Sequence, residues 1–151
     1  MPMRAVIQRV LEAQVQVEGR IAGKIQKGML VYLSVAKDDD FGDAEFIAKK
    51  LVNLRIFQDA RRKMNLSLDD VAGQILLISN FTLHGDCRKG RRPGFDNAAG
   101  PQKAEELYER TAELIQTCGI NVEKGIFAAH MHVQSINDGP VTFLLDSKKL
   151  F

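Results

Sequence analysis

The 151-residue chain is expected to fold as one α+β domain over residues 1–151, with twisted mixed and antiparallel β-sheet forming a barrel-like core flanked by two main helices. Three observations predict this. MLVYLSVA (29–36) and ILLIS (75–79) are apolar and β-branched almost throughout, the pattern of strands buried on both faces. Two other stretches, after Asp43 and from Pro101, carry apolar residues at helical spacing. The segments run in the order β-β-β-α-β-β-α-β-β-β with no repeat, low-complexity tract or linker, which suits a sheet wrapped by two helices.

Residues 4–17 alternate apolar and polar side chains, most cleanly at Val15 and Val17, and Glu18-Gly19 offers a turn into Ile21 and Ile25. This reads as a hairpin or meander. The acidic loop KDDDFGD (37–43) supplies Asp43 as an N-cap for a helix over 44–54, whose Ile47, Leu51 and Leu54 share one face. RIF (55–57) begins another strand, and the polar stretch from Gln58 to Gln74 reads as irregular. Residues 84–100 hold a histidine, four glycines, a proline and a basic cluster, and such a long loop is more often functional than idle. Pro101 suits the first turn of a second helix, with Leu107, Thr111, Leu114 and Ile115 on one face and Gly119 at its C-terminal stop. Three short strands are expected near 120–123, 128–136 and 141–145, the last two joined by a turn at Asp138-Gly139. Asp146 and the tail SKKLF are expected to leave the core.

A hydrophobic fraction of 45% and a net charge of +2 describe an ordinary globular chain and name no partner. No run approaches the roughly 20 apolar residues of a membrane span, and Arg4 and Arg9 interrupt the N-terminal apolar stretch. Cys87 and Cys118 are isolated, so reduced thiols in a cytoplasmic protein are expected.

The usual catalytic signatures are missing: there is no GxSxG, HExxH, P-loop or GxGxxG. His130 and His132 would share a strand face, but two nitrogen ligands fall short of a zinc site, so no metal or cofactor is expected. Arg88, Lys89, Arg91 and Arg92 place four cations in five residues, beside Phe95 as a stacking surface. They read either as a solvated loop or as a phosphate contact. Ser79 and Thr82 are hydroxyls at a strand end, open to a nucleophilic role or to plain turn hydrogen bonding. Pro140 raises a sharper question: it removes a donor where a returning strand needs one.

Taken together, MRAVIQRV, KKLVNLRIF, KMNLSLDDV, SNFTLHGDCRKGRRPGF and NDGPVT follow one another as in the D-aminoacyl-tRNA deacylases, and the chain resembles that family from about Met3 to Ser147. The resemblance implies a homodimeric hydrolase that cleaves the ester between a D-amino acid and the terminal adenosine of tRNA. It implies active sites at the subunit interface. It implies that Gly139 and Pro140, joined by a cis peptide, enter the partner's pocket as a chirality filter. Arg9 would hold that loop, with Asn137 beside it. Ser79, Asn80, Phe81 and Thr82 would line the catalytic side, mainly through backbone donors, and Phe127 and Met131 the adenosine and substrate pocket. Arg88, Lys89, Arg91 and Arg92 would meet tRNA phosphates. The vicinal 2′-OH of the adenosine would assist the reaction, and a filter that excludes L side chains would still admit glycine, as on mischarged Gly-tRNA(Ala). Two positions depart from the family pattern: Asn80 replaces the usual glutamine, and His130 the usual aspartate.

Overall fold

In the computed structural model, which describes residues 2–151, the chain builds ten regular elements and one 3-10 turn. The strands are β1 (Arg4–Val17), β2 (Arg20–Ile25), β3 (Gly28–Ser34), β4 (Phe57–Gln58), β5 (Met64–Leu66), β6 (Gln74–Ser79), β7 (Val122–Lys124) and β8 (His132–Asp146). The helices are α1 (Phe41–Asn53) and α2 (Pro101–Thr117), and the 3-10 turn covers Phe81–His84.

One six-stranded sheet runs β2-β1-β3-β6-β7, with β8 paired to β1. β3–β6 and β6–β7 are parallel, and the pairs made by β1 are antiparallel. Twist brings the two ends of this path together. A Cβ built on Gly23 of β2 would stand 2.6 Å from the Lys124 carbonyl of β7, so the sheet is nearly closed into a barrel and the residue must be glycine.

Closure explains why β3 and β6 are apolar on both faces. Met29, Val31, Leu33, Ile75 and Leu77 face one core, shared with Ile47 and Leu51 of α1 and Leu107, Tyr108 and Ile115 of α2. Leu30, Leu76 and Ile78 face the barrel interior with Val10, Ala13, Val15 and Ile25. The Tyr108 hydroxyl donates to the Leu77 carbonyl at 2.7 Å, which ties α2 to β6. α2 opens on Pro101 and stops at Gly119 (φ 83°), a left-handed position that favours glycine.

Four sequence expectations are corrected. The N-cap of α1 is Asp40, whose side chain accepts from the Gly42 and Asp43 amides. Asp43 is the reciprocal partner, its Oδ2 accepting from the Asp40 amide at 2.9 Å. Arg55 and Ile56 precede the strand, which starts at Phe57, and the polar stretch after it contains β5. Asp146 does not leave the core: it is the buried last residue of β8. Its neighbour Ser147 donates to Asp43 Oδ1 at 2.6 Å and receives the Met3 amide at 3.0 Å.

The fourth correction concerns Asp138-Gly139, which is not a hairpin corner. Residues 132–146 are one strand, antiparallel to β1 on both sides of the interruption. Val10 pairs with Asn137 and Gln8 with Thr142, so Asp138–Val141 are extruded opposite Arg9 alone. A turn signal reverses a chain only if its flanks prefer each other. Here the 14-residue β1 offers both flanks a partner in one direction.

Among the described residues, no helix is long and apolar enough to cross a membrane. Cys87 and Cys118 are free and exposed.

Burial leaves one carboxyl under stress. Asp39 is 1% exposed, and its Oδ2 accepts from the Ala36 amide at 2.6 Å, while Oδ1 has no hydrogen-bond partner among the described residues. Desolvation raises its pKa from 3.8 to about 6. The folded state therefore binds this proton more tightly than the unfolded chain. The stability it contributes is complete below the unfolded pKa and is lost as pH rises through about 6. Asp39→Asn removes this dependence, so relative to wild type it should gain on the order of 2–3 kcal/mol between pH 4 and pH 7. Urea denaturation at both pH values checks this, and a difference that does not change with pH would contradict it.

Candidate active site

β3 and β6 are parallel neighbours, and their C-terminal ends open on a cavity of about 740 Å³. Strand ends of this kind are where mixed sheets place ligands, because the chain leaving each strand frees backbone groups. Tyr32, Ser34 and Ile78 supply the strand side. Ala104 of α2 and Phe127 and Met131 of the β7–β8 connection close the opposite side. Ser79, Asn80, Phe81 and Thr82 form one edge, so the cavity brings together every residue expected on the catalytic and adenosine sides. His130 lines it too, its ring edge-on to that of His132 with centroids 5.1 Å apart. Among the described residues, no group of three or more His, Cys, Asp or Glu side chains is placed to hold a metal ion.

The edge 79–82 is held from below. The Asn80 amide donates to the Leu33 carbonyl at 2.8 Å, and the Asn80 side chain turns inward to cap the 3-10 turn. Its Oδ1 accepts from the Thr82 amide at 3.3 Å and the Thr82 hydroxyl at 2.5 Å. The shorter side chain is thus spent on the turn. The Phe81 N–H has no internal acceptor among the described residues, whereas the Asn80 and Thr82 amides are both engaged. His84 closes the turn. Its Nε2 lies 2.6 Å from the Pro2 carbonyl, and its Nδ1 2.5 Å from Ser34 Oγ. A carbonyl can only accept, so Nε2 carries the proton and Nδ1 accepts the Ser34 hydroxyl. Burial lowers the His84 pKa and favours this neutral form. His84 is therefore committed on both nitrogens. The Thr82 hydroxyl donates to an amide oxygen and has no base beside it.

A second cluster lies apart from the cavity. Arg9 is 4% exposed; its Nε donates to the Asp138 carbonyl at 3.0 Å and NH1 to the Ile56 carbonyl at 2.8 Å. The Asp138 carboxylate adds an ion pair at 3.3 Å. Asn137 Nδ2 donates to the Arg9 and Val141 carbonyls at 2.9 and 3.0 Å, replacing the missing ladder. Between them the Gly139-Pro140 peptide is cis. A Cβ on Gly139 would lie 2.1 Å from the Val141 nitrogen, so no other residue fits this backbone. Gly139 and Pro140 are exposed and do not line their own chain's cavity.

The basic loop stands at the rim. Paired backbone bonds between Asp86 and Gly94, at 2.7 and 2.9 Å, close its neck. Arg88 folds back onto Asp86 with a bidentate contact at 2.9 and 2.7 Å, which drops the Asp86 pKa to about 2. Lys89, Arg91 and Arg92 are exposed and make no ion pair among the described residues. Tyr32 and Ser34, the polar-tipped side chains of the apolar β3, are among the cavity residues that sequence reasoning missed. Burial raises the pKa of the Tyr32 phenol.

The site thus combines a near-closed mixed sheet, a largely apolar cavity at its strand ends and, at Phe81, a backbone N–H with no internal acceptor among the described residues. Comparison with known proteins makes this particular. The family model described as D-Tyr-tRNA(Tyr) deacylase matches residues 6–146. The D-aminoacyl-tRNA deacylase of Fervidobacterium nodosum is 58% identical over 149 residues, covering 99% of this chain and 100% of that one. A solved structure titled c-Myc DNA Unwinding Element Binding Protein superposes with a TM-score of 0.88 at 35% identity, over 94% of this chain and 97% of that one. A probable eukaryotic D-amino acid tRNA deacylase has the same fold, with a TM-score of 0.84 at 18% identity, over 97% of this chain and 100% of that one. The chain belongs to the D-Tyr-tRNA(Tyr) deacylase family. It is a hydrolase, as that membership requires.

Proposed function

We propose that the chain hydrolyses the ester joining a D-amino acid to the 3′-terminal adenosine of tRNA, as a homodimer in which Gly139-Pro140 of each protomer enters the partner's cavity. The extruded, clamped loop 138–141, whose Gly139-Pro140 tip does not line its own chain's cavity, is the observation that carries this reading. A partner surface is at hand. Among the described residues β8 pairs with β1 alone, and Leu11 of β1 and Ile136, Phe143 and Leu144 of β8 are large and exposed.

The chemistry suits a site without an acid–base pair. An aminoacyl ester is already activated, so positioning and charge stabilisation suffice. Phe127 and Met131 hold the adenosine and substrate. Water attacks the ester carbonyl, the Phe81 N–H receives the developing oxyanion, and the 3′ oxygen leaves with a proton. The vicinal 2′-OH relays that proton, which leaves Thr82 and Ser79 as structural hydroxyls. The products are the free D-amino acid and tRNA. Selection of the D form comes from the backbone wedge, which leaves no room for an L side chain and cannot swing aside. Glycine has no side chain to exclude, so glycyl esters, including mischarged Gly-tRNA(Ala), are cleaved as well. The cations 88–92 meet the acceptor-end phosphates, with Lys89, Arg91 and Arg92 in direct contact and Arg88 bracing the loop.

Purified protein should be assayed on four esters in parallel: D-Tyr-, L-Tyr- and Gly-tRNA, and D-Tyr-tRNA ending in 2′-deoxyadenosine. D-Tyr is expected to exceed L-Tyr by more than about 10³, beyond the roughly 10–200-fold that a missing contact gives. Glycyl esters should be cleaved, and the 2′-deoxy ester should be slowed at least tenfold or so. Inert glycyl esters would sink the steric wedge, and inertness toward all four would favour a nucleic-acid-binding protein without this activity.

Replacing Arg91 and Arg92 together by alanine should raise KM for D-Tyr-tRNA and reduce the slope of log(kcat/KM) against log[salt] by about one to two. An unchanged slope would return the loop to a solvated surface feature.

A further inference from the structure

The cavity rim carries an aromatic pair that the proposed chemistry does not use. The rings of Phe81 and Phe95 meet edge to face, with centroids 5.0 Å apart and planes at 72°. Both remain exposed, Phe81 at 55% and Phe95 at 39%. A folded chain gains little by presenting two phenyl rings to water, and here it holds them there firmly. Phe95 follows directly on the Asp86–Gly94 neck. Its ring edge would lie 3.2 Å from a Cβ built on Gly85, so it packs on bare backbone. On its other side, the Ala99 amide binds the Val35 carbonyl at 2.9 Å and the Lys37 amide the Asn97 carbonyl at 3.1 Å. The exposed rings therefore line the cavity on a fixed mount, with Phe95 at the end of the loop that carries the cations Lys89, Arg91 and Arg92.

Flat aromatic faces next to cations match one chemistry, a nucleotide, whose base stacks while its phosphate meets the charge. We infer that Phe81 and Phe95 form a stacking platform for the base of the nucleotide that precedes the terminal adenosine, so that recognition extends one nucleotide beyond the esterified one. This rests on the deacylase reading: with adenosine and amino acid inside the cavity, the preceding nucleotide is the next group to cross the rim. Stacking tolerates any base, so the platform reads the presence of a second nucleotide and not its identity.

The test compares kcat/KM for a D-tyrosyl ester of adenosine with that of the cytidylyl-adenosine dinucleotide. Wild type is expected to prefer the dinucleotide ester. Phe95→Leu should reduce the ratio of the two values about tenfold, within the usual range for one stacked base and mainly through KM. Phe95→Trp should retain the preference. A direct readout accompanies it. With a non-hydrolysable 3′-amide carrying 2-aminopurine as the preceding base, binding to wild type should quench the fluorescence, and Phe95→Leu should restore it. Equal losses on both esters would overturn the platform and make Phe95 a structural or cavity residue. So would a loss on the adenosine ester that differs between D-tyrosyl and D-alanyl substrates, since the ring would then be holding the amino acid. An unquenched probe would overturn it also. If wild type cleaves neither ester, the deacylase reading falls, and this inference with it.

Discussion

Everything distinctive in this fold turns on one buried guanidinium. Arg9 sits where the β1–β8 ladder is interrupted, and its NH1 and Nε reach carbonyls from two segments, Ile56 and Asp138. Removing an arginine from water is costly unless its donors are matched, and here both carbonyl bonds are 3.0 Å or shorter, with an added carboxylate contact. A lysine has neither the fork nor the reach to serve both carbonyls. Without the bridge, the ladder would have no means to hold four extruded residues in one shape. With it, and with the Asn137 side chain standing in for lost backbone bonds, the chain is tied on both sides of Gly139-Pro140.

On the proposed reading the work is divided between two places: the cavity and the Phe81 N–H form one half-site, and the clamped loop, which does not line its own chain's cavity, forms the other. Among the described residues, neither presents an exposed hydroxyl hydrogen-bonded to a base: the Ser34–His84 pair is buried, and His130 lines the cavity without a hydrogen bond to a hydroxyl. His84, the histidine nearest the cavity edge in sequence, spends both nitrogens on Pro2 and Ser34. A chemistry that relies on position and a preorganised donor is consistent with such a site, provided the two halves meet.

Much of this was legible in the sequence where local and global preferences agree. β3 and β6 could be read because near-closure of the sheet buries both faces, which leaves a continuous apolar run in the chain. The ends of α2 could be read because Pro101 and Gly119 are backbone requirements, independent of tertiary context. Reading failed where a long-range partner overrode a local signal. Asp138-Gly139 has the chemistry of a hairpin turn, but β1 captures both flanks. The run of aspartates at 38–40 hid the true N-cap, because apolar periodicity begins only after Asp43, the other half of the capping box. The tail was misjudged because Asp146 looks like a solvent residue, yet it ends buried beside Arg4. At the site, residues 79–82 stood out as a motif. Tyr32 did not, because its strand read as uniformly apolar, and the inward turn of Asn80 depends on a cap that no spacing announces.

The central claim is that a complete site needs the cavity of one protomer and the loop of another. Mixing two variants tests it most directly: Gly139→Ala, which cannot form the loop, and Ala98→Trp, which fills the cavity. Gly139→Ala alone should cleave D- and L-Tyr-tRNA alike, and Ala98→Trp alone should be close to inactive on both. Isolated mixed dimers should cleave D-Tyr-tRNA and reject L-Tyr-tRNA, because their one intact cavity faces an intact loop. Mixed dimers as unselective as the Gly139→Ala parent would contradict the account.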